Sequence, residues 1–165
     1  MAIQELIQVL RDMKDIHQSL LDIAQLKKET LINNQVDQLN GLVIKESKLV
    51  KQIAELEQKR VFEIGRFLVG KGYKPDPAVT VSDLSRIVFK AEDKQALLDA
   101  QQELAVVLGQ LQRANQVNQE LARNSLAFID YTLNLLIGAE DDSVYQHPQQ
   151  QAGGYKRNSY FDTKA

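Results

Sequence analysis

One long segment near the carboxyl end constrains the fold of this chain more than any other feature. The segment LQRANQVNQELARNSLAFIDYTLNLL, from Leu111 to Leu136, predicts a single long helix. Counting four and three residues alternately from Leu97 gives a row that is aliphatic, then polar and small, then aliphatic again: Leu97, Gln101, Leu104, Leu108, Leu111, Asn115, Asn118, Ala122, Ser125, Ile129, Thr132 and Leu136. This row predicts a helix that packs on its neighbours over part of its length and receives another helix over the rest.

Two asparagines, Asn115 and Asn118, fall where the heptad count wants apolar residues. A polar residue at a core position lowers stability, but it can fix the register of packed helices or leave a groove for a partner. We therefore favour a role in register or binding for both asparagines.

Two further long helices are predicted upstream. From Ile3 to Ile32 the same count gives apolar positions, and a flanking row at Val9, Ile16 and Ile23 widens the stripe to that of a bundle helix. Asn33 and Asn34 then either end this helix or kink a longer one. A second helix is expected from Val36 to Leu68, with one apolar row at Val36, Leu39, Val43, Val50, Ile53, Ile64 and Phe67.

The segment GKGYKPDPAVT, residues 70–80, is the strong internal breaker, because two prolines and two glycines so close together cannot continue a helix. We expect Ser82 to cap a short helix near residues 82–90 and Asp93 to cap the long final helix, which Gly138 closes. Residues 139–165 lack periodicity and are predicted to form a disordered tail after a helical domain at 1–138.

The composition excludes several classes of protein. The net charge is −2 and no basic stripe is present, so nucleic acid is not expected as a partner. Cysteine is absent, which excludes disulfides and thiolate metal sites. The amino terminus lacks the basic and apolar regions of a secretory signal, and no uninterrupted apolar run reaches 18 residues. We therefore expect no direct membrane insertion.

No catalytic or metal-binding pattern stands out either. The two histidines are far apart, and we expect His17, on the apolar row, to be a partly buried structural residue. The acidic AEDD at 139–142 is expected to be solvated, and GRFLVGKG at 65–72 lacks the spacing of a phosphate loop. The prediction is a protein that is not an enzyme and has no cofactor, no metal and no catalytic residue.

Three segments occur in a specific order. LLDIAQLKKETLINNQVDQLNGLV, at 20–43, joins a Lys- and Glu-rich helix end to an Asn/Asp-led second helix. KESKLVKQIAELEQKR, at 45–60, carries E-x-x-L-x-x-x-I-x-x-L-E-x-x-R, whose Glu57 and Arg60 we expect to form an exposed ion pair. NQVNQELARNSLAFI, at 115–129, carries N-x-x-N-x-x-L-x-x-x-S-L-x-F-I. Together these segments resemble the FlgN family of flagellar type III export chaperones over most of residues 5–140.

The resemblance implies a function. Such chaperones bind the hook-associated proteins FlgK and FlgL in the bacterial cytoplasm and keep their terminal helices from associating prematurely. They then help deliver these proteins to the export gate protein FlhA. A helix with a matched apolar stripe can cover such terminal helices by helix-in-groove packing, and its affinity must stay intermediate because the cargo has to be released.

The resemblance also places the sites. In the family the cargo-binding region includes the late part of the last long helix, so we expect cargo contacts from Asn115, Asn118, Leu121, Ala122, Ser125, Phe128, Ile129 and Leu136. For Leu121 and Phe128 the alternative is that they only pack on the first two helices. For docking at the gate we predict Tyr145, with Tyr155, Tyr160 and Phe161 as rivals.

The predicted fold is all-α: an antiparallel helical bundle or coiled coil of long helices, with one short helix and a disordered carboxyl-terminal tail. Two other functions stay open, a structural or adaptor coiled coil and an export chaperone for another flagellar cargo. An adaptor should be a stable dimer with a dispensable tail, whereas a chaperone should be a monomer or a weak homodimer.

Overall fold

A computed structural model describes residues 2–137, and within them it contains four helices and no strand. The helices are α1 (Ala2–Ile32), α2 (Val36–Gly70), α3 (Val81–Ser85) and α4 (Ala91–Ile137). The all-α prediction is therefore confirmed, while the predicted tail lies outside the described residues. The chain forms two compact units, Met1–Ala122 and Arg123–Ala165, and of the second unit residues 123–137 are described.

A tight turn ends α1 rather than kinking it. Asn34 adopts a positive φ of 54°, a conformation that asparagine tolerates better than most residues with a side chain. The backbone N–H of Gln35 donates to the carbonyl of Thr30 at 2.9 Å, which satisfies one of the free carbonyls at the helix end. Of the two alternatives left open by the sequence, the asparagine pair thus ends the first helix, and α2 begins at Val36.

The predictions of the two later helix starts were wrong by a few residues. Thr80, not Ser82, caps α3: its hydroxyl accepts from the N–H of Asp83, whose carboxylate accepts from the N–H of Thr80. This capping box satisfies two backbone donors at once, and its hydrogen bonds lower the pKa of Asp83. α4 begins at Ala91, so Asp93 lies in its first turn and accepts a hydrogen bond from Gln4 at 3.1 Å.

The hydrophobic core of the first unit lies between the first half of α1, the end of α2, the short α3 and the beginning of α4. Leu6, Ile64, Leu84 and Leu97 are its fully buried large side chains. His17 is buried, as expected for a structural residue, and its Nδ1 lies 2.7 Å from the carbonyl oxygen of Met13.

Ion pairs and hydrogen bonds fix the directions of the helices. Arg66, near the end of α2, pairs with Glu63 and with Glu5 at the start of α1, and the hydrogen bond from Arg66 lowers the pKa of Glu5. Contacts between the start of α1 and the end of α2 require these two helices to be antiparallel. Contacts between α1 and α4 follow the same order along both helices, from Gln4 with Asp93 through Lys14 with Glu103 to Ala24 with Asn118, so these two helices are parallel.

The buried row of α4 departs from the row counted in the sequence. Leu97 and Leu104 are buried as predicted, but the positions between and after them are Ala100 and Val107 rather than Gln101 and Leu108. Leu108 is 41% exposed. On the buried face of α4, Gln101 and Leu108 of the counted row are therefore each replaced by the residue before them.

None of the helices within residues 2–137 combines the length and the hydropathy that a bilayer-spanning segment needs.

The predicted pair of Glu57 and Arg60 is confirmed as two hydrogen bonds, of 2.8 and 2.6 Å, on the surface of α2. Such an exposed pair is worth only tenths of a kcal/mol, roughly, to the helix.

Candidate partner-binding surfaces

A groove of about 520 Å³ opens between α1, α2 and α4 within the first unit. Its apolar lining comes from all three helices: Leu20, Leu31, Leu39, Val43, Val50 and Leu111. Concave apolar surfaces of this size are where proteins usually hold ligands or the side chains of a partner.

The groove exists because the first half of α2 is poorly covered. Val36, Val43 and Val50, which the sequence placed on a core row, are 62%, 41% and 53% exposed. The buried side chains of α2 instead begin at Glu63, near its carboxyl end. The early turns of α2 therefore carry apolar side chains without a matching layer above them.

An ion pair crosses the groove. Lys27 Nζ of α1 lies 3.0 Å from Glu46 Oε2 of α2, and both side chains line the groove and are largely covered, at 18% and 29% exposure. Because the two charges have opposite sign, the pair adds no net charge to the lining of the groove.

Asn118 is the most buried polar residue of the groove, at 6% exposure. Its Nδ2 donates to the carbonyl of Ala24 in α1 at 2.8 Å, which fixes the position of α4 along α1. Its Oδ1 is buried and has no hydrogen-bond partner among the residues that the structure describes. A buried carbonyl oxygen left in this state costs roughly 1–3 kcal/mol, so the atom is a marked departure from ordinary packing.

The four cargo-binding residues predicted in the first unit divide between the groove and its flank. Asn115, Asn118 and Ala122 line the groove, with Asn115 exposed and Asn118 buried. Leu121 is half-buried and is not part of the groove lining. The lining residues that α1 and α2 contribute to the groove were not predicted from the sequence. The spacing of apolar residues along a helix is the same whether they face a closed core or an open groove.

The described part of the second unit, residues 123–137, is a helical segment with an exposed apolar surface. Of the residues predicted there, Phe128 is 69%, Ile129 51% and Leu136 78% exposed, while Ser125 is half-buried.

Three more large side chains of the same segment are exposed, and sequence analysis did not single them out. They are Leu126 at 61%, Tyr131 at 60% and Leu135 at 66%. Ile129 and Leu136 are seven residues apart and share a helix face with Leu126, while Ala127 and Asn134 lie on another face. The 3/4 spacing of Leu126, Ile129 and Leu133 was the signal that could have added Leu126 to this face, whereas Tyr131 and Leu135 lie on other faces of the helix.

No group of three or more His, Cys, Asp or Glu side chains that could hold a metal ion occurs within residues 2–137. A second cavity, of about 430 Å³, lies at the other end of the first unit. It is lined in part by Phe89, which is 85% exposed and has Lys71 Nζ 4.3 Å from the centre of its ring.

Tyr145, predicted to dock at the export gate, lies outside the described residues.

Two comparisons with known proteins found matches to this chain. The family model described as FlgN protein matches residues 1–153. The chain is also similar to the uncharacterized protein YvyG of Bacillus subtilis (strain 168), with 25% identity over 166 residues that cover the whole of both chains. No solved structure matches the chain.

Proposed function

We propose a cargo and a destination for this chain, which belongs to the FlgN family of flagellar export chaperones. It binds the terminal helices of the hook-associated proteins FlgK and FlgL in the bacterial cytoplasm and prevents their premature assembly. It then delivers them to the export gate protein FlhA. The residues that contact cargo are Asn115, Asn118, Leu121, Ala122, Ser125, Phe128, Ile129 and Leu136.

The exposed apolar surface of residues 123–137 carries the proposal. Six large apolar or aromatic side chains in these 15 residues, from Leu126 to Leu136, are each more than half exposed. A protein that exposes so many apolar side chains on one short stretch of a helix is stabilised when a partner covers them. An amphipathic helix with its own apolar row fits such a surface, and a terminal helix of a filament-junction subunit has this character.

Small and polar side chains keep the affinity intermediate. Ser125 and Ala122 contribute little apolar area, and Thr132 donates its hydroxyl to the carbonyl of Phe128 at 2.9 Å. Burial stabilises a complex by roughly 25 cal/mol per Å² of apolar area, so a face interrupted by these residues binds less tightly than an aliphatic one. Such an interface suits a chaperone that must release its cargo at the gate.

Hydrogen exchange of the chain, alone and mixed with the carboxyl-terminal helix of a hook-associated protein, tests the proposal. We expect new amide protection between about residue 115 and the end of α4, because cargo binding suppresses the local opening of an exposed helix. A scrambled peptide of the same composition is the control.

The same experiment separates the alternatives. If α4 is already fully protected in the free chain and cargo adds nothing, the adaptor coiled coil becomes the better explanation. If the terminal helix of a different flagellar cargo gives the protection instead, the chain is an export chaperone for that cargo.

Tyr145 is the residue that we propose for docking at FlhA. We expect Tyr145→Ala to leave cargo binding unchanged and to abolish capture of the chaperone–cargo complex by the cytoplasmic domain of FlhA, because an aromatic side chain in a polar segment is a common anchor. A pull-down with immobilised FlhA measures this, with Tyr155→Ala and Tyr160→Ala as controls. Equal capture of Tyr145→Ala and the unchanged chain would contradict the assignment.

A further inference from the structure

We propose that the second cavity of the first unit, the Phe89 cavity, binds an extended acidic segment of another protein, which inserts one apolar or aromatic side chain. The cavity lies where the start of α1, the end of α2 and the residues between α3 and α4 meet. None of the eight residues proposed to contact cargo contributes to its lining. The inference therefore adds a second partner-binding surface and goes beyond the proposed function.

The size and the apolar lining of the Phe89 cavity define what enters it. Its apolar side is formed by Ala2, Ile3, Phe67, Gly70, Val88 and Phe89. Its volume of about 430 Å³ falls in the range of roughly 300–1,000 Å³ that is typical of ligand sites. One turn of a helical peptide about 10 Å wide has a volume on the order of 420 Å³. The occupant therefore enters with only a few residues, and the side chain that reaches the lining is apolar.

Phe89 is an exposed wall of the cavity that is held in place. It is 85% exposed, although Ile87 and Val88 just before it are half-buried against the core. Lys71 Nζ lies 4.3 Å from the centre of the Phe89 ring and 5.8 Å from that of Phe67. This cation–π attraction fixes the ring without covering it. Exposed aromatic side chains of this kind are enriched where proteins bind one another.

Two lysines give the cavity an unbalanced positive charge. Lys71 and Lys90 line it and are exposed, and neither forms an ion pair with any residue in the described part of the chain. The third cation of the lining, Arg66, is paired with Glu5 and Glu63. Carboxylates of a partner form charge-assisted hydrogen bonds with such lysines, and opposite charge also speeds their encounter.

The position of Lys90 is unfavourable for the fold itself. Lys90 directly precedes α4, where the partial positive charge of the helix start repels a cation and where Ser, Thr, Asp or Asn would cap the helix. Lys71, in contrast, is the C-cap of α2, where a cation is favoured. The charge of Lys71 thus has a structural explanation and that of Lys90 has none within the fold. A carboxylate of a partner beside Lys90 offsets the repulsion, as expected of a residue selected for binding.

Carboxylates next to the cavity limit the kind of anion that fits. Asp93 belongs to the lining, where it accepts a hydrogen bond from Gln4, and Glu92 is exposed just before it. A broad anionic surface, such as a membrane of acidic lipids, meets these carboxylates together with the lysines. A narrow peptide places its own carboxylates beside Lys71 and Lys90 alone. The charge pattern therefore favours an acidic peptide over a membrane.

The direct test uses a blocked peptide, acetyl-Asp-Asp-Phe-Asp-Asp-amide, added to the isotope-labelled full chain. We expect it to shift the backbone amide signals of Gly70, Lys71 and Phe89 in nuclear magnetic resonance spectra. Its affinity should fall as salt is added, because salt screens the attraction between exposed charges. The charge-reversed peptide acetyl-Lys-Lys-Phe-Lys-Lys-amide is the control and should leave these signals unchanged. No shift with the acidic peptide, or equal shifts with both, would overturn the inference.

Two lysines one helical turn apart separate a specific contact from a general effect of charge. Lys90 lines the cavity, whereas Lys94 is exposed outside it. We expect Lys90→Glu to weaken binding of the acidic peptide by about fivefold or more, and Lys94→Glu, which makes the same change of charge, by less than about twofold. Lys90→Glu should at the same time raise the thermal midpoint of unfolding slightly, because an acid is favoured at a helix start. Equal losses of affinity in the two variants would contradict a specific site.

Two exposed phenylalanines test the role of the aromatic wall. Phe62 is 63% exposed and has the guanidinium carbon of Arg66 5.8 Å from the centre of its ring, but it does not line the cavity. We expect Phe89→Ala to weaken binding of the acidic peptide by about tenfold or more, and Phe62→Ala to bind like the unchanged chain. Neither substitution removes a buried side chain, so the circular dichroism spectra should stay the same. Equal affinities of the two variants would show that Phe89 is not a contact.

Further outcomes identify other occupants and keep this inference separate from the proposed function. Lys90→Glu and Phe89→Ala should bind the hook-associated carboxyl-terminal helix like the unchanged chain, and a matching loss there would make the cavity part of the cargo site and overturn the inference. Binding to vesicles of phosphatidylglycerol and phosphatidylcholine that Lys90→Glu abolishes, without binding of the acidic peptide, would assign the surface to a membrane. Conversion of a self-associated chain into a monomer by Lys90→Glu would assign it to a second copy. Failure of the unchanged chain to bind the cargo helix would overturn the proposed function alone.

Discussion

Replacing Ile129 and Leu136 together by aspartate is expected to lower the affinity for the cargo helix by more than about a hundredfold. Burying each of these side chains in a complex contributes roughly 1.5–3 kcal/mol, and an aspartate in the same place also loses its hydration. Both side chains are more than half exposed in the free chain, at 51% and 78%. The thermal midpoint of unfolding should therefore stay almost unchanged.

A matched variant makes this result specific. Ala127 and Asn134 are exposed, and they have the same seven-residue spacing as Ile129 and Leu136. They lie on the face of Tyr131, away from Ile129 and Leu136, so Ala127→Asp combined with Asn134→Asp adds the same charge away from the row of Ile129 and Leu136. We expect this control to bind cargo within about twofold of the unchanged chain. Equal affinities of the two double variants, measured by calorimetry, would show that the apolar row is not the binding surface.

The local elements of this fold could be read from the sequence because each has a local chemical cause. Asn34 ends α1 because asparagine tolerates a positive φ, and Gly72, with a φ of 84°, plays the same role just after α2. The start of α3 was misplaced by two residues because Thr80 and Ser82 are both good caps. Only the side chain of Asp83 decides between them, since it completes a capping box with Thr80.

The phase of the buried row on α4 could not be derived in the same way. A count of three then four from Leu97 leads to Ala100, whereas a count of four then three leads to Gln101, and both rows meet again at Leu104. Val107 and Leu108 are similarly apolar, and Ala100 is less polar than Gln101, so the hydropathy of these four residues points to the row through Ala100 and Val107, which the heptad count passed over. In the structure Ala100 and Val107 are the buried pair, at 3% and 7% exposure, and packing against the other helices, which a count along one helix does not contain, sets this phase.

For a related reason, the sequence predicted the part of the candidate site that lies on α4 but not the part that lies on α1 and α2. The unusual polarity of Asn118 and the apolar exposed end of α4 are visible in the sequence, together with the resemblance to a chaperone family. The groove walls on α1 and α2 are not, because Val43 and Val50 have the spacing of core residues. The unpaired Oδ1 of Asn118 depends on the position of one carbonyl in another helix, at Ala24, and no spacing rule reports such a contact.

Leu97→Ala is expected to lower the free energy of unfolding by about 3 kcal/mol. The side chain of Leu97 has no exposed surface and belongs to the core that joins α4 to α1, α2 and α3, so its truncation leaves a cavity as well as removing buried apolar area. Leu126→Ala is the matched control. Leu126 is 61% exposed on the same helix, and its replacement should change stability by less than about 0.5 kcal/mol.

Urea unfolding followed by circular dichroism measures both variants, and an unchanged slope with denaturant shows that the unfolding reaction is the same. A loss near 3 kcal/mol for Leu97→Ala and none for Leu126→Ala would place the stabilising core of α4 before the cargo-binding region. Cargo affinity of Leu126→Ala should fall in the same experiment series, because burial of that leucine contributes only to the complex. If both leucines instead contributed equally to stability, the end of α4 would be part of a closed core. Its apolar side chains would then already be covered and could not bind a partner.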